Sequence, residues 1–495
     1  MSLDPRTPVM VGGGQWSNRV DRGASPVEPV DMIAEVLKRA ADDAGAPAIA
    51  AAADTVWIVM MLSWRYSDPG ALVAARLGAE PRDTAVSPMG GNEPQGIVAQ
   101  ACRDIAAGER DVVLIGGAEA WRSRGNPGGE TLGWTPYDRE APRARRTGEE
   151  APLNHPAETA RGIVMPTQIY PLFEQAFRHA QGRPVAEHMA GVSRLWSRFS
   201  EIAAANPHAW IQQAMTPEEV GTASPSNRWI SWPYTKVMNS NNAVEQAAGV
   251  ILMSAERATA LGVPRDRWVF PLATAEAHDH YAVSHRDDLA SSPAIRLSGE
   301  ALFELAGIGP DDVAHVDLYS CFPSAVEVAA HELRLPAGID LTVTGGLPFA
   351  GGPWNNYVTH SLATMVGVLR ENAGSVGLVS ANGGYLTKHA LGLYSTEPPA
   401  AGFRSTSVQD AVDALPAREL CESVGDGGAS GRIEAWVVSH DREGAPERAI
   451  ATVLLDDGRR AWSETKDPDT MQGLMTGEEM IGRAVKLPAD HTLTL

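Results

Sequence analysis

Residues 101–119 read ACRDIAAGERDVVLIGGAE, and the order of features in this stretch decides the fold. Ala101 and Ile105 continue an apolar face begun by Ile97 and Val98, the 3.6-residue spacing of a helix buried along one side. Asp111 to Ile115 then reads as a strand covered on both faces, and it runs into Gly116-Gly117. Upstream, the same grammar repeats. Pro8 to Val11 is a strand closed by Gly12, Gly13 and Gly14. Val30, Ile33, Ala34, Leu37 and Ala41 share one helical face, with Gly45 as its stop. Thr55 to Met61 is a second buried strand, and a helix follows around Gly70 to Leu77. The turn-rich run Ser87-Pro88-Met89-Gly90-Gly91-Asn92-Glu93-Pro94 opens the helix that leads back into residues 101–119.

The third quarter follows the same plan. Strands are expected at Trp268–Ala273, Ala314–Tyr319 and Ser375–Ser380, and helices at Ser298–Ala306, Pro323–Leu333 and along Val358, Leu362, Met365, Val366 and Leu369. Glycine-rich turns stand at 345–353 and at Asn382-Gly383-Gly384. Roughly 35 residues separate strand from glycine loop in both halves, and roughly 25 separate loop from next strand, which predicts an internal duplication of one α/β unit. Alternating elements imply mostly parallel sheets sandwiched by helices. The expected organisation is a first half at 1–120 completed by 238–265, an inserted subdomain at 121–237, a second half at 266–395, a linker at 396–417 and a small antiparallel, barrel-like β-domain at 418–495. The insertion carries an amphipathic helix through Met189, Val192, Leu195, Trp196, Phe199 and Ile202, so it is a lid or subdomain and not one long loop.

Composition narrows the function. Forty-four per cent of the 495 residues are hydrophobic, enough for a large core, and 41 Lys plus Arg against 61 Asp plus Glu leave a formal charge of −20. A chain this acidic repels nucleic acid and anionic membrane, so neither is expected as a partner. Cys102, Cys321 and Cys421 have no metal-type spacing and are too few for a disulfide framework, which points to a reducing cytoplasm. Neither a signal peptide nor an apolar run of about 18 residues is visible, so a soluble, cytoplasmic protein is expected.

Several residues are candidates for chemistry. The two glycine loops each follow a buried strand and start a helix, where free N–H groups and a positive dipole end suit a thioester oxygen or an anion; close packing of the two halves is the competing reading. Gly12 to Gly14 lacks the spacing of a dinucleotide fingerprint. His278, His280 and His285 cluster without nameable further ligands, so no metal site is expected. Arg139, Arg143, Arg145 and Arg146, with Arg122 and Arg124, form a basic cluster suited to phosphates, unless they pair with Glu149 and Glu150.

The segments 101–119 and 250–258 (VILMSAERA), with Tyr319-Ser320-Cys321-Phe322, Gly351-Gly352-Pro353 and Ala381-Asn382-Gly383-Gly384, resemble the thiolase superfamily. Within it the chain is similar to the sterol-carrier-protein-type thiolases and to the mycobacterial thiolase-like proteins of type 1. The resemblance covers Pro8 to Ser395. It implies a duplicated αβαβα fold, with the insertion as a coenzyme A-binding loop domain. It also implies which parts of the thiolase apparatus are missing. Gly90-Gly91-Asn92 stands where the nucleophilic Cys belongs, Gly351-Gly352-Pro353 replaces the Gly-His-Pro motif, and Ala381-Asn382-Gly383 replaces Cys-x-Gly. An acyl-enzyme needs a thiolate or hydroxyl, and none is at the matching place.

Thiolase-fold aldol lyases that lack this Cys carry a Tyr in the corresponding motif and work with a small oligonucleotide-fold partner. By that resemblance Tyr319 is a candidate acid or base, the C-terminal module an OB-like partner fused in cis, and a coenzyme A thioester the ligand. No covalently bound cofactor is expected. His360, Tyr385 and His389 are candidate partners of Tyr319. Gly90, Gly91, Asn92, Gly351, Gly352, Asn382 and Gly383 are candidate substrate or oxyanion loops, and Asn239, Asn241 and Asn242 weaker ligand contacts. Cys321 is weighed as a displaced nucleophile and Cys102 as inert. Three functions stay open: aldol-type C–C chemistry, acyl transfer, or binding of acyl-CoA without catalysis. Either a homodimer or a monomer is compatible with the added module.

Overall fold

A computed structural model of the chain describes residues 3–124 and 132–495. Strands outside 121–237 and helices longer than eight residues are numbered. The first sheet holds β1 (Pro8–Ser17), β2 (Thr55–Ile58), β3 (Asp83–Val86), β4 (Val112–Ala120) and β5 (Glu245–Ser254), in the order β1-β5-β4-β2-β3. β5 runs antiparallel to β1 and β4, while β4, β2 and β3 are parallel. Arg145–Arg146 pairs along the outer edge of β3. The second sheet holds β6 (Phe270–His278), β7 (His315–Asp317), β8 (Val376–Gly383), β9 (Lys388–Ser395) and β10 (Arg404–Ser407), ordered β7-β8-β9-β6-β10.

Two helices, α1 (Pro29–Asp43) and α2 (Pro69–Leu77), cover the outer face of the first sheet. Between the sheets lies α3 (Glu93–Ala106). The insertion contributes α4 (Pro166–Ala180) and α5 (Val185–Ala205). The second sheet is backed by α6 (Pro293–Ala306), beside which packs α7 (Pro323–Glu332), and α8 (Tyr357–Glu371) joins α3 in the middle layer. This is the expected five-layer arrangement. The central layer is apolar on both sides: Ile97, Val98, Ala101, Val358, Leu362 and Met365 are all buried in the main core.

The glycines of the first unit differ from expectation in an instructive way. Gly12–Gly14 is not a turn; all three stay inside β1. A Cβ on Gly12 or Gly14 would run into the carbonyls of Ala40 and Val36 on α1, and one on Gly13 into Ala363 of α8. Helices therefore press on both faces of this strand, and a strand glycine marks that close approach. Gly116-Gly117 and Asn382-Gly383 likewise lie within β4 and β8.

The C-terminal region also departs from the reading. Residues 396–417 are not a bare linker, because β10 adds to the second sheet beside β6 and residues 409–413 form a helical turn. The module has a hydrophobic cluster of its own, around Ile433, Trp436, Val438, Ala451 and Leu474, which Val185 and Trp232 of the insertion join. Its strands β11 (Ala429–His440), β12 (Pro446–Leu455), β13 (Arg460–Thr465) and β14 (Ala484–Leu487) belong to a third sheet. Trp229–Trp232 of the insertion pairs antiparallel with β11 and extends that sheet, followed by Tyr234–Thr235. Beyond β14, which pairs with β11, the chain crosses to the opposite edge and bridges β13, where Leu493 N donates to the Glu464 carbonyl (2.9 Å). Buried Arg460 fastens the module: it donates to the carbonyls of Ser284 (3.0 Å) and Arg286 (2.5 Å) and forms a two-pronged pair with Glu434 (2.6 and 2.7 Å). No helix among the described residues is long and apolar enough to cross a membrane.

Candidate active site

Where the two halves meet the insertion, a cavity of about 440 Å³ opens. The first half contributes Leu62, Met89, Gly90 and Gly91. The second contributes Tyr319, Cys321, Phe322, Asn382, Gly383 and Tyr385, and α4 contributes Pro166, Thr167 and Tyr170. The residues lining it include no carboxylate, no imidazole and no Lys or Arg; the titratable groups are three tyrosines and one cysteine.

Tyr319 follows β7, and its backbone N–H donates to Ser380 Oγ (2.9 Å). Its ring packs edge-on against Tyr357 at 5.6 Å. Its hydroxyl lies directly over Gly91, in the space a side chain at 91 would need: a Cβ there would also stand 2.5 Å from the Asn382 carbonyl and 2.6 Å from Tyr319 Cζ. The nucleophile position and the Tyr319 ring thus exclude each other sterically. Among the described residues the hydroxyl has no hydrogen-bond partner, and burial pushes its pKa up, so it is a neutral phenol and a donor. Cys321 is 8% exposed, and burial pushes its thiol up to about 12. A thiol this reluctant to ionise is a poor nucleophile.

Asn382 and Tyr170 organise the floor. Asn382 Nδ2 donates to Tyr170 Oη (2.9 Å), which also accepts from Leu386 N (2.9 Å) and donates to the Gly384 carbonyl (3.2 Å). Asn382 Oδ1 is buried without a partner. Tyr170 stacks on Phe322 at 4.4 Å, and burial raises its pKa as well. Asn355 carries the glycine turn, accepting from Gly90 N (3.1 Å) and donating to the Met60 carbonyl (2.9 Å). Lys388 donates to the Met89 carbonyl from behind. Tyr385 Oη donates to the Val164 carbonyl (2.7 Å), with Asn154 Oδ1 a second acceptor at 3.1 Å, tying the segment before α4 to the second half; burial raises its pKa too.

The other sequence candidates fall elsewhere. His360 is buried on α8 against Gln15 Oε1 (3.0 Å), and burial lowers its pKa to about 3, so it is a neutral packing residue. His389 lies 3.4 Å from Ser292 Oγ and 3.7 Å from Asp279, behind the Tyr319 ring and off the cavity. Asn92 is not among the residues lining the cavity: its Nδ2 donates to Glu93 (2.9 Å) and its Oδ1 is buried behind Gly90 and Gly383. Gly351 and Gly352 back the cavity wall, where any side chain would strike Gln246 and Ser240. Ser240 and Asn242 line the cavity, as does Asn239, while Asn241 contributes its backbone to the Gly352 turn (3.0 Å). Cys102 is fully buried in α3.

Arg145 is occupied by a two-pronged pair with Asp83 (2.8 and 3.3 Å), whereas Arg143 and Arg146 line a different cavity. Arg139 is exposed and lines neither. Arg122 donates to the Ala243 carbonyl (3.3 Å) and Arg124 to that of Leu62 (3.0 Å). His278, His280 and His285 belong to no three-ligand group; among the described residues only Glu174, His188 and Glu327 form one. There the Tyr234 hydroxyl and the His188 ring bind Glu174, and hydrogen bonding accounts for the cluster. Sequence reading missed Tyr170 and Asn355. Tyr170 carried the weaker signal, being one aromatic on the buried face of a helix that no motif marked.

Across the full length, the chain is 33% identical to a monomeric SCP2-thiolase-like protein type 1 from Mycobacterium smegmatis, with a TM-score of 0.83, covering 99% of this chain and 98% of that one. It belongs to the thiolase-like proteins of type 1. Residues 407–492 match the model of the additional C-terminal domain of thiolase-like protein type 1, and residues 275–339 match the thiolase C-terminal domain-like model.

More distant relatives frame this thiolase-like protein. An acetyl-CoA acetyltransferase of Methanocaldococcus jannaschii is 25% identical over 45% of the chain and 50% of its own length. A steroid side-chain-cleaving aldolase of Thermomonospora curvata is 24% identical over 53% of the chain and 63% of its own length. The chain thus spans between half and two thirds of the curated relatives it matches. The structure of an Ltp2-ChsH2(DUF35) aldolase shares the fold at 19% identity and a TM-score of 0.59, covering 80% of this chain and 99% of that one.

Proposed function

We propose that this thiolase-like protein binds a coenzyme A thioester of lipid or steroid metabolism in the cytoplasm and makes or breaks a C–C bond by aldol chemistry at Tyr319. The observation that carries the reading is the exchange at Gly91: the phenol of Tyr319 fills the place of a nucleophile side chain in a cavity with no other strong acid or base. For a β-hydroxyacyl thioester the step balances on one residue. The Cα–Cβ bond breaks as the β-hydroxyl becomes a carbonyl. The hydroxyl proton passes to the Tyr319 oxygen while the phenol's own proton moves to Cα, which regenerates the phenol. The backbone around Gly90 and Gly91 lies beside this site. Asn382 Oδ1, buried and unpartnered, is free to accept from a substrate hydroxyl. The kinship with a steroid side-chain-cleaving aldolase supports this class.

Acyl transfer through a covalent thioester is the weaker reading, since Gly91 has no side chain and Cys321 is held protonated. A second reading, a binder without catalysis, is favoured by the absence of any carboxylate or imidazole that would assist Tyr319. Turnover of a panel of β-hydroxyacyl-CoA compounds separates them. Aldol chemistry predicts cleavage that falls at least 100-fold in Tyr319→Phe. Binding of an acyl-CoA by calorimetry without any turnover selects the binder, and thiolysis of acetoacetyl-CoA would overturn both.

A further inference from the structure

Most hydrogen-bond donors on the wall of the reaction cavity are already spent. Tyr170, Asn239, Ser240, Asn355, Asn382 and Tyr385 each donate to a protein acceptor. Trp354 also lines the cavity, and among the described residues its buried indole Nε1–H has no acceptor. An indole N–H only donates. Buried donors in native proteins are paired, because an unpaired one bears its full desolvation cost. On a cavity wall, such an orphan marks the place of an acceptor that the ligand brings.

The backbone at this residue is a second observation. Trp354 has a φ of 48°, in the left-handed region that a bulky side chain rarely adopts. Its own N–H turns back to the Gly352 carbonyl (2.7 Å), directly after Gly351-Gly352-Pro353. The residues that follow hold the turn in place. Asn355 ties it to Gly90 N (3.1 Å) and to the Met60 carbonyl (2.9 Å), and Asn356 Nδ2 donates to the Gly117 carbonyl (2.7 Å). The indole ring rests on Trp121 at 4.8 Å. Strained conformations persist where the surroundings over-determine them, and they gather at ligand and catalytic sites. A relaxed φ would carry the indole to another place on the wall.

Chemistry of the kind proposed at Tyr319 needs such a donor. As the Cα–Cβ bond breaks, its electron pair moves into the thioester, and negative charge grows on the carbonyl oxygen until the phenol's proton reaches Cα. No lysine, arginine or imidazole lines the cavity to meet that charge. We propose that the indole N–H of Trp354 holds the thioester carbonyl oxygen of the ligand and, during cleavage, stabilises the charge that gathers there. The indole keeps its own proton throughout, so the balance of the step is unchanged. A donor fixed in advance in a water-excluded site is worth far more than one in water. The part in cleavage rests on the aldol reading; the contact with the bound thioester does not.

Calorimetry on the full chain tests it with two probes: β-hydroxydecanoyl-CoA, and the same molecule with a methylene in place of the thioester carbonyl. The unsubstituted protein should bind the thioester about tenfold more tightly than the thioether. Trp354→Phe keeps a ring and loses the N–H, so it should bring the two probes to about equal affinity by weakening the thioester alone. Benzothienylalanine at position 354 keeps the shape of the indole with sulfur in place of N–H, and it should do the same where Trp354→Phe does not fold. In turnover, kcat should fall about 10²–10³-fold, more than KM rises. Equal weakening of both probes, no preference for the thioester in the unsubstituted protein, or no binding of either probe overturns the proposal. If the preference depends on Trp354 and no β-hydroxyacyl-CoA turns over, the aldol reading fails and the assignment of Trp354 to the carbonyl oxygen holds. If Tyr319→Phe stops turnover while Trp354→Phe leaves the preference intact, the aldol reading holds and this assignment fails.

Discussion

Replacing Gly91 by alanine adds one methyl group at the most crowded point of the cavity floor. The new Cβ would lie 2.5 Å from the Asn382 carbonyl oxygen and 2.6 Å from Tyr319 Cζ, with the Tyr319 hydroxyl closer still. The Asn382 oxygen is a backbone atom of β8, in register with His389 of β9, so it cannot swing away as a flexible side chain would. Overpacking of this kind costs about 1–3 kcal/mol. At about 2.1 cal/mol/K of unfolding entropy per residue, a cooperative unit of this size loses only about 1–3 °C in Tm, so the denaturant midpoint is the sharper reading. Gly367→Ala is the matched control. It lies in α8 with nothing within 4 Å of its added Cβ, so it should gain up to about 1 kcal/mol from helix propensity. Tyr319→Phe removes the nearest atom and should return part of the Gly91→Ala loss, a coupling of about 0.5–3 kcal/mol in a double-mutant cycle. Urea and thermal unfolding of the four variants give all the terms. If Gly91→Ala proves as stable as Gly367→Ala, Tyr319 does not occupy the space above Gly91, and the argument for an exchanged nucleophile fails.

Three further outcomes are expected. Cys321, whose thiol is pushed up to about 12, should alkylate with iodoacetamide at pH 7.5 at least tenfold more slowly than an unperturbed thiol, read by peptide mass spectrometry. Arg460→Met should strand Glu434 and the carbonyls it serves, cost about 3–5 kcal/mol and make residues 396–417 sensitive to limited proteolysis. Stability should also fall as pH rises. Burial pushes the His188 pKa down, but the carboxylates of Glu174 and Glu327 outweigh it and lift it to about 10; burial and the Glu174 charge lift Glu327 to about 8. Both groups hold their protons more tightly folded than unfolded. The His188 contribution is therefore complete below pH 6.5 and lost as pH approaches 10, and the Glu327 contribution is lost between pH 4.5 and 8. Denaturant midpoints measured from pH 5 to 10 check this, and Glu327→Gln should flatten the lower part of the slope.

Alternation of buried strands and amphipathic helices was legible because each element carries its own period. The duplication followed from it. Less legible was the conformation of glycines. Gly12–Gly14 and Asn382-Gly383 read as turns, since a glycine run has no period; what keeps them extended is pressure from α1, α8 and other neighbours distant in sequence. The site divided along the same line. Tyr319 and the Gly90-Gly91 turn stood in marked motifs and meet in the cavity. His360 and His389 stood in equally marked positions but face inward, because orientation around α8 and β9 is set by packing and not by spacing. Tyr170 and Asn355 act through hydrogen bonds to backbone groups of other segments, a partnership that no local pattern announces.

The pairing of Trp229–Trp232 with β11 has a consequence for how the protein is made. Nearly 200 residues separate the two strands. At about 5–20 residues per second the nascent chain leaves its tryptophan-bearing edge unmatched for roughly 10–40 seconds after it emerges from the ribosome. During that interval an open strand edge is a template for wrong neighbours. Termination after β10 but before β11 would leave two well-formed halves and a permanently unmatched edge, so such truncated products should reach inclusion bodies, however complete their reaction cavity.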